Sequence, residues 1–129
     1  MPDYLDTSAF IKLVRSEPES TALRGDLANG DALVSSALLL VEGRRAAARY
    51  GSLALERARA ALMTITLLPL DDAALEVAAG LEPAELRTLD ALHLATAAGL
   101  GEELGRFYCY DARLAGAAAA LGLDVRTPA

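Results

Sequence analysis

Tyr4-Leu5-Asp6-Thr7-Ser8-Ala9 holds an apolar strand, an acid and a helix start in one short stretch. Residues 3–5 read as a β-strand and Ser8–Val14 as a short helix, so Asp6 falls at the strand's carboxyl end. The alternation recurs along the chain. Ser20 reads as the N-cap of a helix over Thr21–Ala28, which Asn29-Gly30 stops. Ala32–Ser35 is a second strand, and Ser36 can cap a helix from Ala37 to about Arg49. Gly51-Ser52 breaks that helix before another over Leu53–Met63. The β-branched run Thr64–Leu68 is a third strand ended by Pro69, and Asp71 or Asp72 caps a helix through Ala79. Beyond Pro83, Leu86–Ala98 carries apolar residues at helical spacing. Phe107–Tyr110 is a fourth strand, Ala112–Leu121 a helix stopped by Gly122, and Val125–Thr127 an edge strand. Strands alternating with helices predict an α/β fold with a central, mostly parallel sheet covered on both faces.

Composition narrows the function classes. The 129 residues are read as one domain, 1–129, and 53% hydrophobic content with a mean hydropathy of +0.29 excludes a disordered chain. There is no Trp and only 5% aromatic residues, which argues against a platform of stacked bases. The single cysteine, Cys109, excludes an internal disulfide and a multi-cysteine zinc site. No signal peptide and no membrane-spanning apolar run are read, so the expected setting is cytoplasmic. A net charge of −6 disfavours nucleic-acid binding by bulk charge alone. One segment runs against that balance: Arg44, Arg45, Arg49, Arg57 and Arg59 face only Glu56 between Gly43 and Met63. It is either a solvated helix face or a surface for RNA or a partner.

Four carboxylates carry the chemistry. Asp6 ends its apolar stretch, Glu42 follows Ala37-Leu38-Leu39-Leu40-Val41, Asp90 interrupts Leu89-Asp90-Ala91-Leu92, and Asp111 follows Phe107-Tyr108-Cys109-Tyr110. An acid among apolar residues is partly desolvated, and an unpaired buried carboxylate is costly. A shared divalent cation is an economical neutraliser. In parallel sheets, ligands bind beyond the carboxyl ends of the strands, and helices that follow strands start at that same edge. Asp6 and Asp111 at strand ends and Glu42 and Asp90 in early helical turns can therefore converge, with the first and fourth strands as neighbours. Oxygen-only ligands suit Mg²⁺ or Mn²⁺, and two such ions can stabilise the attacking and leaving oxygens of phosphodiester cleavage without a protein nucleophile.

The segments Leu5-Asp6-Thr7-Ser8-Ala9, Val41-Glu42, Leu89-Asp90-Ala91-Leu92-His93-Leu94-Ala95-Thr96-Ala97 and Tyr110-Asp111-Ala112-Arg113-Leu114 resemble, in order and spacing, the PIN-domain ribonucleases of the VapC toxin type. The resemblance implies a three-layer α/β/α sandwich and a Mg²⁺- or Mn²⁺-dependent endoribonuclease that hydrolyses RNA with activated water. It also implies a homodimer and inhibition by a small cognate antitoxin. Carried over position by position, Asp6, Glu42, Asp90 and Asp111 are the acidic, metal-binding and catalytic quartet. One departure is Cys109, where many relatives place Thr or Ser two residues before the last acid. A thiol is a poorer hydrogen-bond partner than a hydroxyl.

Around the quartet, Ser8 either positions water or phosphate or lines its helix, and Thr7 reads as a helix N-cap. Arg87, three residues before Asp90, pairs with a carboxylate or touches substrate phosphate; His93, three residues after it, reads as a satisfied structural histidine. Arg44, Arg45 and Arg49 are the candidate RNA contacts. The apolar positions of residues 8–14 and 21–28 serve a dimer or antitoxin surface or the ordinary core. A phospho-accepting receiver domain would need an acidic pair after the first strand and a late lysine, whereas Asp6 stands alone and the only lysine is Lys12. Two alternatives of the same fold remain: a housekeeping RNA-processing nuclease and a catalytically inactive binding module.

Overall fold

A computed structural model describes residues 1–129. The elements in chain order are β1 (Asp3–Leu5), α1 (Thr7–Val14), α2 (Ser20–Ala28), β2 (Leu33–Ser36), α3 (Leu38–Ala48), α4 (Ser52–Leu62) and β3 (Ile65–Leu68). They continue with α5 (Asp72–Ala79), α6 (Thr88–Ala98), a 3₁₀ turn at Gly101–Glu103, β4 (Arg106–Tyr108), α7 (Ala112–Ala120) and β5 (Asp124–Arg126). The five strands form one sheet in the order β3-β2-β1-β4-β5, and every pair is parallel.

Alternation along the strands splits the core into two layers, because successive side chains of a strand point to opposite faces. Leu5 and Tyr108 face one side, where they pack with Phe10, Val14, Leu23, Leu39, Ala58 and Ile65 beneath α1–α4. Tyr4 and Phe107 face the other, with Leu94, Ala97, Leu114 and Ala118 beneath α6 and α7. Tyr4 lies beside Phe107 in the register of β1 and β4, and their rings stack with centroids 5.3 Å apart. The result is the expected α/β/α sandwich, with β1 at its centre.

The α1–α3 contact is close because residue 43 has no side chain. A Cβ built on Gly43 would meet the Phe10 ring at 2.7 Å. Phe10 is fully buried in the packed core and has little room to give way. Gly43→Val is therefore expected to destabilise the fold by about 2 kcal/mol, seen as a lower urea midpoint with an unchanged m-value. An unmoved midpoint would mean that α3 shifts freely against α1.

Several boundaries differ from the sequence expectation for identifiable reasons. Asp6, not Thr7, caps α1: its carboxylate accepts from the Ala9 amide at 2.8 Å. Ser20 is the first residue of α2 and makes no cap bond to the helix. Its hydroxyl instead donates to the Arg15 carbonyl and accepts from the Glu17 amide, closing the preceding turn. α6 starts at Thr88 rather than Leu86, because Arg87 is extended (φ −62°, ψ 147°). β4 ends at Tyr108 because the Tyr110 amide leaves the ladder and donates to the Ser8 hydroxyl at 2.9 Å.

The amino-terminal edge of the sheet is tied by charge. Asp3, 3% exposed, accepts from the Arg106 backbone amide at 2.7 Å and from its guanidinium at 3.1 Å. Arg106 also lies 3.5 Å from Asp26, which accepts from the Tyr108 hydroxyl at 2.7 Å. The adjacent strands β1 and β4 are thereby clamped at the end opposite Asp6 and Asp111.

Candidate active site

The chain turns directly from β1 into α1, leaving Asp6 between them. Its backbone amide still donates to the Tyr108 carbonyl of β4 at 3.2 Å, and its side chain caps α1. Asp6 is 2% exposed, and its hydrogen-bond partners are neutral: the Ser8 hydroxyl at 2.7 Å and the Ala9 amide. Burial pushes its pKa up, and these hydrogen bonds only partly offset the cost of charge. Asp111 repeats the design at the exit of β4, capping α7 by accepting from the Leu114 amide at 3.0 Å.

The other two acids come from helices. Asp90 lies in the first turn of α6, where the helix dipole favours a negative charge. Burial raises its pKa; Arg87 opposes that and Asp111 adds to it. Arg87 bridges the pair, donating from Nε to Asp90 at 3.3 Å and from an Nη to Asp111 at 2.9 Å. The guanidinium side chain is 69% exposed. Arg87 is thus a solvent-facing cation across two of the four acids.

Glu42, in the second turn of α3, is held from the interior. Its Oε1 accepts from the Thr7 hydroxyl at 3.0 Å and lies 2.8 Å from His93 Nε2. Burial raises the Glu42 pKa, but the His93 hydrogen bond and charge and the Thr7 hydroxyl outweigh it, for a net lowering. His93 Nδ1 in turn meets the Tyr4 hydroxyl at 2.8 Å. The sequence signal for this network was His93 itself, a polar side chain inside the apolar run Ala91-Leu92-His93-Leu94-Ala95. The contact between Thr7 and Glu42 had no such signal.

The remaining candidates fall as follows. Ser8 donates to Asp6 and accepts from Tyr110, so its hydroxyl joins the exits of β1 and β4. Cys109 is fully buried, its thiol 3.4 Å from the Asp111 carbonyl, and burial pushes its pKa up, which makes it a poor nucleophile. Arg44 and Arg45 are exposed on α3, and Arg49 is exposed just past its carboxyl end. Arg44 and Arg45 line a shallow groove with Arg59, Leu40, Val41 and Leu55 between α3 and α4. Arg49 does not line it.

All four acids therefore lie at the carboxyl edge of the sheet or in the helices that begin there. Asp6 and Glu42 are each held by their own protein partners and Asp90 and Asp111 share Arg87, and no three carboxylate, imidazole or thiolate groups stand together at metal-holding distance. The donor set nonetheless fits a hard divalent cation. It is all oxygen, it includes the buried Asp6 with only neutral partners, and a cation already spans Asp90 and Asp111 in the form of Arg87. Asp6, Glu42, Asp90 and Asp111 are the residues that would hold the ion.

Comparison with known proteins agrees with this architecture. The profile of the PIN domain matches residues 4–120. Ribonuclease VapC46 of Mycobacterium tuberculosis is 50% identical over 125 residues, covering 97% of this chain and 96% of the relative. Ribonuclease VapC47 of the same species is 42% identical over 130 residues, with the same coverage, 97% and 96%. In three dimensions the chain is similar to the crystal structure of Mycobacterium tuberculosis VapC20, a sarcin-ricin loop cleaving toxin, with a TM-score of 0.75 at 18% identity. That match covers 97% of this chain and 99% of the other. The chain belongs to the PIN-domain family, among its VapC-type members.

Proposed function

We propose that this chain is an endoribonuclease toxin that requires Mg²⁺ or Mn²⁺ and is restrained by a small cognate antitoxin. The observation that carries the reading is Asp6: a buried carboxylate without a cationic partner, at the sheet edge where Asp90 and Asp111 also meet. A bound divalent cation supplies charge stabilisation for the attacking water and the leaving oxygen of a phosphodiester. The protein's part is to hold four carboxylates around it. Ser8 fixes the Asp6 carboxylate, and the caps of α1 and α7 fix the backbone beneath Asp6 and Asp111. Arg87, exposed at its guanidinium, can exchange a carboxylate for a substrate phosphate, since guanidinium binds both in the same bidentate manner. Arg44 and Arg45, two and three residues beyond Glu42, supply positive charge for an RNA backbone on an otherwise acidic chain.

The partners follow from relatives and surface. VapC46 and VapC47 are named ribonucleases, and the structural neighbour VapC20 is described as a sarcin-ricin loop cleaving toxin. RNA is accordingly the substrate class proposed here. A homodimer is part of the same proposal, with Leu75, Val77 and Leu89 among the exposed apolar side chains available to an interface. No helix is long and apolar enough to cross a membrane.

The test is cleavage of a structured RNA by purified protein. Activity is expected with Mg²⁺ or Mn²⁺ and none in EDTA, with recovery on adding excess metal. Undiminished cleavage in EDTA would refute the metal-dependent reading. Induction in a bacterial host separates the toxin from other members of the fold. Growth arrest is expected from the wild type and not from Asp6→Asn. Normal growth with both, alongside metal-dependent cleavage, would instead identify a processing nuclease.

A further inference from the structure

His93 is 1% exposed, yet its ring has a polar neighbour at each nitrogen. The Tyr4 hydroxyl is 2.8 Å from Nδ1, while Nε2 lies 2.8 Å from Glu42 Oε1 and 3.1 Å from Thr7 Oγ1. An ionised Glu42 can only accept, so Nε2 must carry a proton. In the neutral ring Nδ1 then accepts a hydrogen bond from the Tyr4 hydroxyl, and in the imidazolium both nitrogens donate and the Tyr4 oxygen accepts; Nε2 donates to Glu42 in either form. The Tyr4 ring is itself fixed, stacked on Phe107 and edge-on to His93 with centroids 5.9 Å apart. The Thr7 hydroxyl donates to the same Glu42 oxygen. Oε1 thus receives two donors, and Oε2 has no protein hydrogen bond.

The origins of these side chains matter. Tyr4 and Thr7 flank Asp6, and His93 lies one helical turn beyond Asp90. The relay therefore sets the place of Glu42 on α3 against the two elements that carry Asp6 and Asp90. α3 leaves β2 at the same edge, where the Ala37 amide donates to the Leu68 carbonyl at 2.8 Å, but no backbone hydrogen bond joins α3 to β1, α1 or α6. We propose that His93, oriented by Tyr4 and seconded by Thr7, is a positioning residue that pins Glu42 by Oε1 and leaves Oε2 free to bind the divalent cation. This rests on the reading of Glu42 as a metal ligand. Groups that orient a ligand in this way typically govern metal affinity by about 10–100-fold.

The test is Mn²⁺ binding to the full chain, followed by electron paramagnetic resonance titration, with folding checked by circular dichroism. His93→Asn keeps a polar group near Nδ1 but none at Nε2, and it is expected to weaken Mn²⁺ binding by about 10–100-fold. His93→Gln places an amide N–H near Nε2 and is expected to restore most of the affinity, which a purely structural role would not require. Thr7→Val, the loss of one hydrogen bond, is expected to cost about fivefold. Glu42→Gln is the reference for the site. If Glu42→Gln loses Mn²⁺ while His93→Asn and Thr7→Val bind like wild type, the relay is only core packing and the proposal fails. If Glu42→Gln binds like wild type, the ligand reading itself fails and takes the proposal with it. Should His93→Asn not fold, Thr7→Val and Tyr4→Phe decide: weaker binding supports the relay, and unchanged binding overturns it.

Discussion

Asp6→Asn is expected to melt at a higher temperature than the wild type in EDTA and to cleave RNA on the order of 10³-fold more slowly in Mg²⁺. The loss of rate follows from the proposed role of Asp6 as a ligand to an ion, which would supply several kcal/mol of charge stabilisation in the transition state. The gain in stability follows from the burial of a carboxylate whose partners are all neutral. Asparagine keeps the Oδ1 acceptor for the Ala9 amide and caps helices as well as aspartate does. Removing the charge is expected to contribute on the order of 1 kcal/mol, about 3–5 °C for a chain of this size.

The dependence on pH has a definite sign. The folded-state pKa of Asp6 is raised by burial, so protonation favours the folded state. The stabilisation from protonation is complete below the unfolded value and lost as pH rises through the folded one. The advantage of Asp6→Asn is therefore largest above the raised pKa and vanishes on acidification below the ordinary aspartate range. Saturating Mn²⁺ should reverse the ranking, since a ligand at 100 times its Kd adds about 2.7 kcal/mol to the wild type alone. Equal melting temperatures in EDTA, with no metal-dependent crossover, would remove Asp6 from the cation site.

The second large effect lies at the opposite edge. Arg106→Met is expected to destabilise the protein by about 3 kcal/mol, close to what breaking a buried ion pair from one side costs. Asp3 would keep the backbone amide of residue 106 but lose the guanidinium 3.1 Å away, in a site only 3% exposed. The double variant Asp3→Asn with Arg106→Met should recover much of the loss, because no orphaned charge remains. Chemical denaturation of the single and double variants measures this. A loss in Arg106→Met under about 1 kcal/mol would place the pair among ordinary surface bridges. Cleavage per folded molecule should be unchanged, as the clamp and the acids occupy opposite ends of β1 and β4.

Much of this architecture was legible in the sequence because it is written in local terms. Apolar runs ending in Asp6 and in Cys109-Tyr110-Asp111 marked two strand exits, and the helical spacing of Leu86–Ala98 placed Asp90 near a helix start. What escaped was fixed by partners far away along the chain. Thr7 read as a cap because Ser and Thr before a helix usually are, whereas Asp6 takes the Ala9 amide and frees Thr7 to reach Glu42. His93 read as a satisfied core histidine, and it is buried and satisfied. Its partners, Tyr4 at a separation of 89 residues and Glu42 at 51, are beyond any local pattern. The Arg87 bridge was legible only in half: the three-residue spacing to Asp90 shows in the sequence, the reach to Asp111 does not.

The central position of β1 also bears on how the chain comes into being on a ribosome. β1 is made first but is flanked in the sheet by β2 and β4, and β4 begins only at Arg106. A nascent chain halted anywhere before that point presents β1 with at least one open edge, lacks Asp111, and has nothing to oppose the exit that carries Asp6. Stalled or truncated products therefore carry at most three of the four acids and not their assembly. Such topology delays folding, since the pairing of Tyr4 with Phe107 must close a loop of about a hundred residues. For a chain whose finished form is proposed to destroy RNA, translation itself is a period of enforced inactivity.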